Sequence, residues 1–520
     1  MNPLASYKCA QRVLMALAAI SGIFLAASCG SSKISVPTNP NGFSNSSLSG
    51  SYVFTSSGLD SGGFPIFLTG VLVANGTGGN GGITGGTMDV VDAGSAIPPA
   101  VAITGSYSVG SDGRGKATLN SSVANFALDF VLTSTSHGLV TEFDNNGSGS
   151  GTLDLQGSVP TLAQLAGPYA FDAAGADSGG GSFATAGSFT LDSSGTTPTP
   201  GVQDINDNAN LNLDASINVT ATVASGTGPG TLTVNGFSFD YYPIDATHLK
   251  IIEVDGADFT SGDVFTQTGA TIPTTPMVFS MSGGLTSPIA NAGVMTYSGG
   301  AFSGTEDVNN APAVLFSIPF SSTTATVGGR LVVTLTNFDP ATQWVVYPSS
   351  GGLLILETDT LNVTLGSAFA QTGGTFGASQ NYGLNLNAFN VQNTYAENDI
   401  AQFLNTSTTF KGVLDINDDY GNGSGSLVTQ QLQGTYTPQD ASGVGSATTT
   451  ANGAGYVSFN FYVASTSNIL ILETDTTQVG SGLLQLQSSP SGSVAQSRVS
   501  LARPAILKPA ARAKMASRRK

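Results

Sequence analysis

The chain has 520 residues, 67 of them glycine, with 40% hydrophobic and only 9% charged residues; that size and composition fit several domains of short, turn-rich elements. Between Cys29 and Gln487 six basic residues face all 33 acidic ones, so this body is more acidic than the whole chain, whose net charge is −17; that excludes nucleic-acid binding by the body because a phosphate backbone needs a cationic stripe. Cys9 and Cys29 are the two cysteines, so disulfides, thiolate metal sites and cysteine nucleophiles are excluded beyond residue 29.

In chain order, Val13 to Ser28 form an apolar, small-residue run behind Lys8 and Arg12, too short to span a bilayer comfortably and shaped like the core of a signal peptide, placed at 1–28. The run ends Leu25-Ala26-Ala27-Ser28-Cys29-Gly30, which resembles the lipobox of bacterial lipoproteins. That resemblance implies cleavage before Cys29, lipidation of its thiol, and anchorage of an exported protein to the envelope, at the outer membrane or cell surface. Residues 29–47, rich in Ser, Asn, Pro and Gly, read as a flexible stalk.

Four stretches then superimpose, Phe126 to Gln156, Phe237 to Gln267, Ala341 to Gln371 and Val457 to Gln487, each carrying Glu-x-Asp, Gly and Gln at the same offsets. A second block, Gly-x-x-Asp-(Val/Ile)-x-(Asp/Asn), precedes each at Gly86, Gly201, Gly304 and Gly412. One module is used four times, over 48–157, 165–269, 276–373 and 380–488. In the first copy, apolar alternation at period two predicts strands near 51–57, 64–74, 83–91, 101–109, 115–121, 125–133, 138–144 and 150–156. The expected fold is all-β: four tandem ~105-residue antiparallel meanders, each an eight-stranded barrel, with a β-sandwich as the alternative.

The repeated polar positions are the candidate site residues. Gly151 and Gln156, Gly262 and Gln267, Gly366 and Gln371, and Gly482 and Gln487 read as structural, with a turn near each Gly and the Gln amide donating across strands to the Glu of its own copy. The carboxylates are Asp89, Asp92, Glu142 and Asp144; Asp204, Asp207, Glu253 and Asp255; Asp307, Glu357 and Asp359; Asp415, Asp418, Glu473 and Asp475. Hard oxygen donors without sulfur or imidazole suit Ca²⁺, so calcium is the candidate cofactor. The runs at Asp204 and Asp415 resemble the first half of an EF-hand loop, but Ala209 and Tyr420 replace its central Gly, and Ala215 and Ser426 its bidentate Glu. The competing reading is Asx turns and bonds to backbone donors.

His137 and His248 are the only histidines and share an offset with Gly352 and Asn468, which predicts positive-φ turn residues rather than catalysts. Tyr241, Tyr242, Trp344 and Tyr347 are read as core before sugar-stacking platforms. Residues 489–520 form a basic tail without an acidic residue, read as disordered. No catalytic residue is assigned, since the same carboxylates recur in every module where catalysis needs one asymmetric set. The expected role is non-enzymatic: a structural, adhesive or binding protein that meets the membrane through its lipid and an envelope polymer, surface glycan or protein through its modules. The alternatives are a carrier of small ligands in the barrel interiors and, behind it, a carbohydrate-active enzyme.

Overall fold

The computed structural model describes residues 42–93, 99–338, 340–418 and 426–490. The signal segment, Cys29 and the basic tail beyond residue 490 lie outside the described residues.

Each module is an antiparallel meander closed on itself, as expected. In barrel one the strands are Ser49–Asp60, Pro65–Asn75, Gly81–Asp92, a fourth in two pieces (Val101–Ala102 and Thr104–Val109), Arg114–Asn120, Asn125–Leu132, His137–Glu142 and Gly147–Leu155. The first pairs with the last from Tyr52 opposite Leu155 to Asp60 opposite Gly147, leaving no free edge. Barrel two runs from Gly167–Asp177 to Asp258–Thr266, which pair with each other. Its fourth strand breaks at Asn218: Asn210–Ile217 pairs with the third strand and Val219–Ala221 with the fifth, so the chain itself closes the ring. Barrels three (Met277–Gly284 to Thr364–Ala370) and four (Asn381–Asn390 to Gln478–Leu486) are closed eight-stranded rings.

The period-two pattern explains the interiors. Phe54, Leu68, Leu119, Phe130 and Val140 fill barrel one; Phe171, Tyr241 and Ile251 barrel two; Phe279, Phe320, Trp344 and Ile355 barrel three; Phe403, Phe410, Phe461 and Ile471 barrel four. Segments ahead of the first strands plug the ends, through Phe43, Leu165, Ile272 and Phe376. The plug corrects the stalk at its far end. Phe43 and Leu48 are buried in the core of barrel one, and Asn45 Oδ1 accepts the Val109 N–H at 2.7 Å, because the open mouth of a small barrel offers apolar surface to the nearest chain.

The outward faces are also apolar, and there the barrels meet. Val53, Phe67 and Val71 of barrel one pack on Tyr242, Ile244 and Ile252 of barrel two. Ala170, Ala174, Ala184 and Ala186 of barrel two meet Tyr347, Leu354 and Leu356 of barrel three. One further cluster joins Val278, Ala290 and Ala292 of barrel three to Tyr462, Leu470 and Leu472 of barrel four, and contains Ile400 of barrel four with Val131 and Leu139 of barrel one. Every joint sets the first three strands of one barrel against the last three of the next, and the fourth barrel meets the first in the same way. Such heterologous contacts close into a cycle when the rotation between units allows it.

Candidate functional site

The repeated glutamines are the clearest use of the repeat, and they do not bond to their own Glu as expected. Gln156 Nε2 donates to the Pro243 carbonyl at 3.0 Å and Gln267 to that of Pro348 at 2.9 Å. Gln371 donates to Val463 at 3.0 Å and Ser442 at 2.8 Å, and Gln487 to Leu132 at 2.8 Å and Asp112 at 2.9 Å. Pro243, Pro348, Val463 and Leu132 are one register position of the sixth strand, opposite Leu249, Leu353, Ile469 and Gly138. Each Gln therefore clamps the following barrel, and the last clamps the first. Register also corrects the gapless alignment. Glu142, Glu253 and Glu473 face Leu128, Phe239 and Phe459, but Glu357 faces Trp344, one residue further along copy three, whose hairpin lacks the sixth-strand bulge of copies two and four.

The repeated glycines stand within the last strands, not at turns. A Cβ on Gly151, Gly262, Gly366 or Gly482 would come within 1.8 to 2.0 Å of the first-strand carbonyl of Thr55, Asp172, Ser280 or Asn385. The seam that closes each barrel needs that bare backbone.

The Asp of the upstream block is a joint residue. Asp89 accepts Tyr242 Oη of barrel two at 2.8 Å, Asp204 accepts Tyr347 of barrel three at 2.5 Å, and Asp307 accepts Tyr462 of barrel four at 2.5 Å. The same carboxylates hold the N–H groups of Ala100, Asp214 and Ser317, which bulge with φ of 55°, 59° and 53°. Asp204 also meets Arg330 Nε at 2.6 Å. In the closing joint Val131 takes the tyrosine position, and Asp415 instead accepts Thr429 Oγ1 and lies 3.8 Å from Arg114. Burial raises the Asp89 carboxyl above the usual range and the Tyr242 phenol with it.

Two positions further on stands a residue that sequence reasoning passed over. Asn206 Nδ2 caps the carbonyls of Glu357, Asp359 and Asn362 at 2.9 to 3.2 Å. Asn309 caps Glu473, Asp475 and Gln478 at 2.8 to 3.3 Å, and Asn417 caps Glu142 and Gly147 at 2.6 and 2.9 Å. The signal was present as Asp-(Val/Ile)-Asn in three copies; Val91 replaces it in the first. Asp92, Asp207 and Asp418 end the third strands.

The Glu-x-Asp pair separates. The Asp leaves the strand and builds the turn. Asp144 accepts Ala127 N–H at 2.6 Å and Asn146 N–H at 2.7 Å; Asp255 accepts Ser238 and Ala257; Asp359 accepts Gln343 and Leu361; Asp475 accepts Thr477 and Gln478. This is the Asx-turn reading of those residues. Glu142, Glu253, Glu357 and Glu473 are buried. Thr260 and Thr364 hydroxyls donate to Glu253 at 2.8 Å and Glu357 at 2.6 Å, and burial pushes both carboxyls up to about 8. Among the described residues no three His, Cys, Asp or Glu side chains converge as a metal centre.

Barrel four departs from the pattern. Glu397 and Asp399, which sequence reasoning did not single out, join Glu473 inside it; Tyr456 Oη donates to Glu397 at 3.1 Å and to Asp399, and Gln478 Nε2 to Glu397.

No family model and no curated protein matches this chain. Among solved structures it is similar to a mutant of the vaccine antigen transferrin binding protein B from Haemophilus parasuis Hp5, at 12% identity over 69% of this chain and 84% of that one, with a TM-score of 0.18. Intact Ap-TbpB, with N and C lobes, aligns at 10% identity over 68% and 84%, with a TM-score of 0.16.

The histidines depart from expectation. Neither has positive φ; of their offset only Gly352 does, at 118°. They begin the seventh strands, whose pairing holds them extended. His137 Nδ1 lies 2.6 Å from Asp154 and its Nε2 2.9 Å from Gln485 of barrel four. His248 Nε2 lies 2.6 Å from Asp263, which Lys250 also meets at 2.7 Å, and burial lowers the imidazole's affinity for a second proton. Tyr241 and Trp344 are barrel core and Tyr242 and Tyr347 joint residues, all buried away from any sugar.

Proposed function

We propose that this is an exported, lipid-anchored envelope protein whose four-barrel body is a rigid, non-enzymatic unit with a structural, adhesive or binding role. The glutamine clamp supports this best: a polar side chain that recurs in all four copies is spent on joining barrels, in a cycle that includes the fourth-to-first joint. Filled, plugged interiors speak against the carrier alternative, which needs hollow barrels. The lipobox-like run at Cys29 supports the anchor, and the partner class is an envelope polymer, surface glycan or protein. Metabolic acyl labelling with a globomycin-type inhibitor, followed by protease shaving of intact cells, tests the reading. Label should appear on the wild type and vanish in Cys29→Ser, and shaving should release the body as one resistant fragment. An unlabelled chain, or one protected from protease until cells are lysed, would overturn the anchored surface location.

A further inference from the structure

Barrel four differs from its siblings in one coordinated way. In barrels two and three the interior Glu receives a hydroxyl proton from a Thr on the last strand. In barrel four that position is Gly480, as it is Gly149 in barrel one, so the hydroxyl donor is gone; what barrel one lacks is the second change. Two acids on the second strand, Glu397 and Asp399, have been added beside it, both buried.

The outcome is a surplus of acceptors. Both Glu473 oxygens, Asp399 Oδ1 and Gln478 Oε1 are buried with no amide, hydroxyl or cationic donor, and the acids have one another as neighbours, Asp475 beside Glu473 and Glu397 beside Asp399. Asp399, Glu473 and Tyr456 line one interior cavity of about 10 Å³, about the space of a single water-sized sphere. No salt bridge from Lys or Arg reaches Glu397, Asp399 or Glu473 among the described residues. Facing carboxyls in a low-dielectric interior must either stay protonated or hold a cation between them.

We propose that the mouth of barrel four, between Glu397, Asp399, Glu473 and the Gln478 carbonyl, is a site for one divalent cation of the calcium class. All its donors are hard oxygens, and three carboxylates with one amide carbonyl reach the six to eight oxygens calcium takes when some bind bidentately or water completes the shell. The acids do not converge at coordinating distance, so binding draws them inward by side-chain rotation. Glu473 is the only one of the four that the repeat marks; the other three belong to this copy alone.

The test is calorimetric titration of the full chain with CaCl₂ at pH 7 and pH 9, beside terbium emission sensitised by Tyr456. The expected result is one ion per chain, a rise in melting temperature, and loss of at least about tenfold in affinity in Asp399→Asn and Glu473→Gln. Glu357→Gln, in barrel three, should bind as the wild type does. The carboxamide variants keep side-chain shape and should melt higher than wild type without calcium, which separates lost binding from lost folding. No heat and no melting shift at millimolar calcium at either pH would mean that the cluster holds protons only, and would overturn the site; so would undiminished binding in Asp399→Asn.

Discussion

At the scale of single residues, the joints carry side chains whose loss has a definite size. Gln487→Ala leaves the carbonyls of Asp112 and Leu132 without their donor and should cost about 1 to 3 kcal/mol, measured by denaturant melts. Arg330→Ala is more severe, because it strands a fully buried Asp204; about 3 to 5 kcal/mol is expected, and Asp204→Asn in that background should recover part of it. The buried acids set a pH dependence of known sign. Glu253 and Glu357 have folded pKa values raised to about 8 from 4.5, so their contribution is fully present below about pH 4.5 and is lost as pH rises through 8. Asp263, lowered by Lys250 and His248 against the cost of burial, works the other way and loses stability in acid. Melting temperature should fall between pH 5 and pH 9, and Glu357→Gln should flatten that fall. A slope unchanged by Glu357→Gln would show that the carboxyl is ionised in the fold.

At the scale of the strand, the seventh of each module is buried on both faces. Ile355 points into barrel three while Leu354 and Leu356 press on barrel two. This is visible in the sequence as the apolar run Leu353-Leu-Ile-Leu356, whose period of two sets Leu353 and Ile355 on one face and Leu354 and Leu356 on the other. That period leaves the outer ones unexplained, because an apolar outward face says that something covers it and not what. Leu354→Asp should therefore detach barrel two from barrel three without unfolding either, read as new proteolytic cleavage in the connection between Thr266 and Met277 at near-native circular dichroism. The histidines show the converse. Their shared offset with Gly352 and Asn468 suggested a common turn conformation, yet the ladder holds His137, His248 and Asn468 extended while Gly352 alone takes positive φ. Side-chain tolerance at a position reflects its neighbours as well as its backbone.

At the scale of the whole body, closure is the property to test. A chain stopped after Gln371 would carry barrels one to three, exposing the last strands of barrel one and the first strands of barrel three, which are complementary by repetition. It should associate head to tail, seen as a concentration-dependent mass in light scattering, where the full body stays at one mass. Repetition, the strand count and the eight-stranded meander followed from the sequence alone, because alternation and turn chemistry are local and every copy restates them. The cycle of joints did not. Gln156 and Gln267 announced that they mattered, but their acceptors lie 87 and 81 residues away on another barrel, and the acceptors are backbone carbonyls, which every residue has. Only tertiary packing could decide which carbonyl each glutamine reaches, and only in barrel four does that packing set Asp399 from the second strand against Glu473 from the seventh.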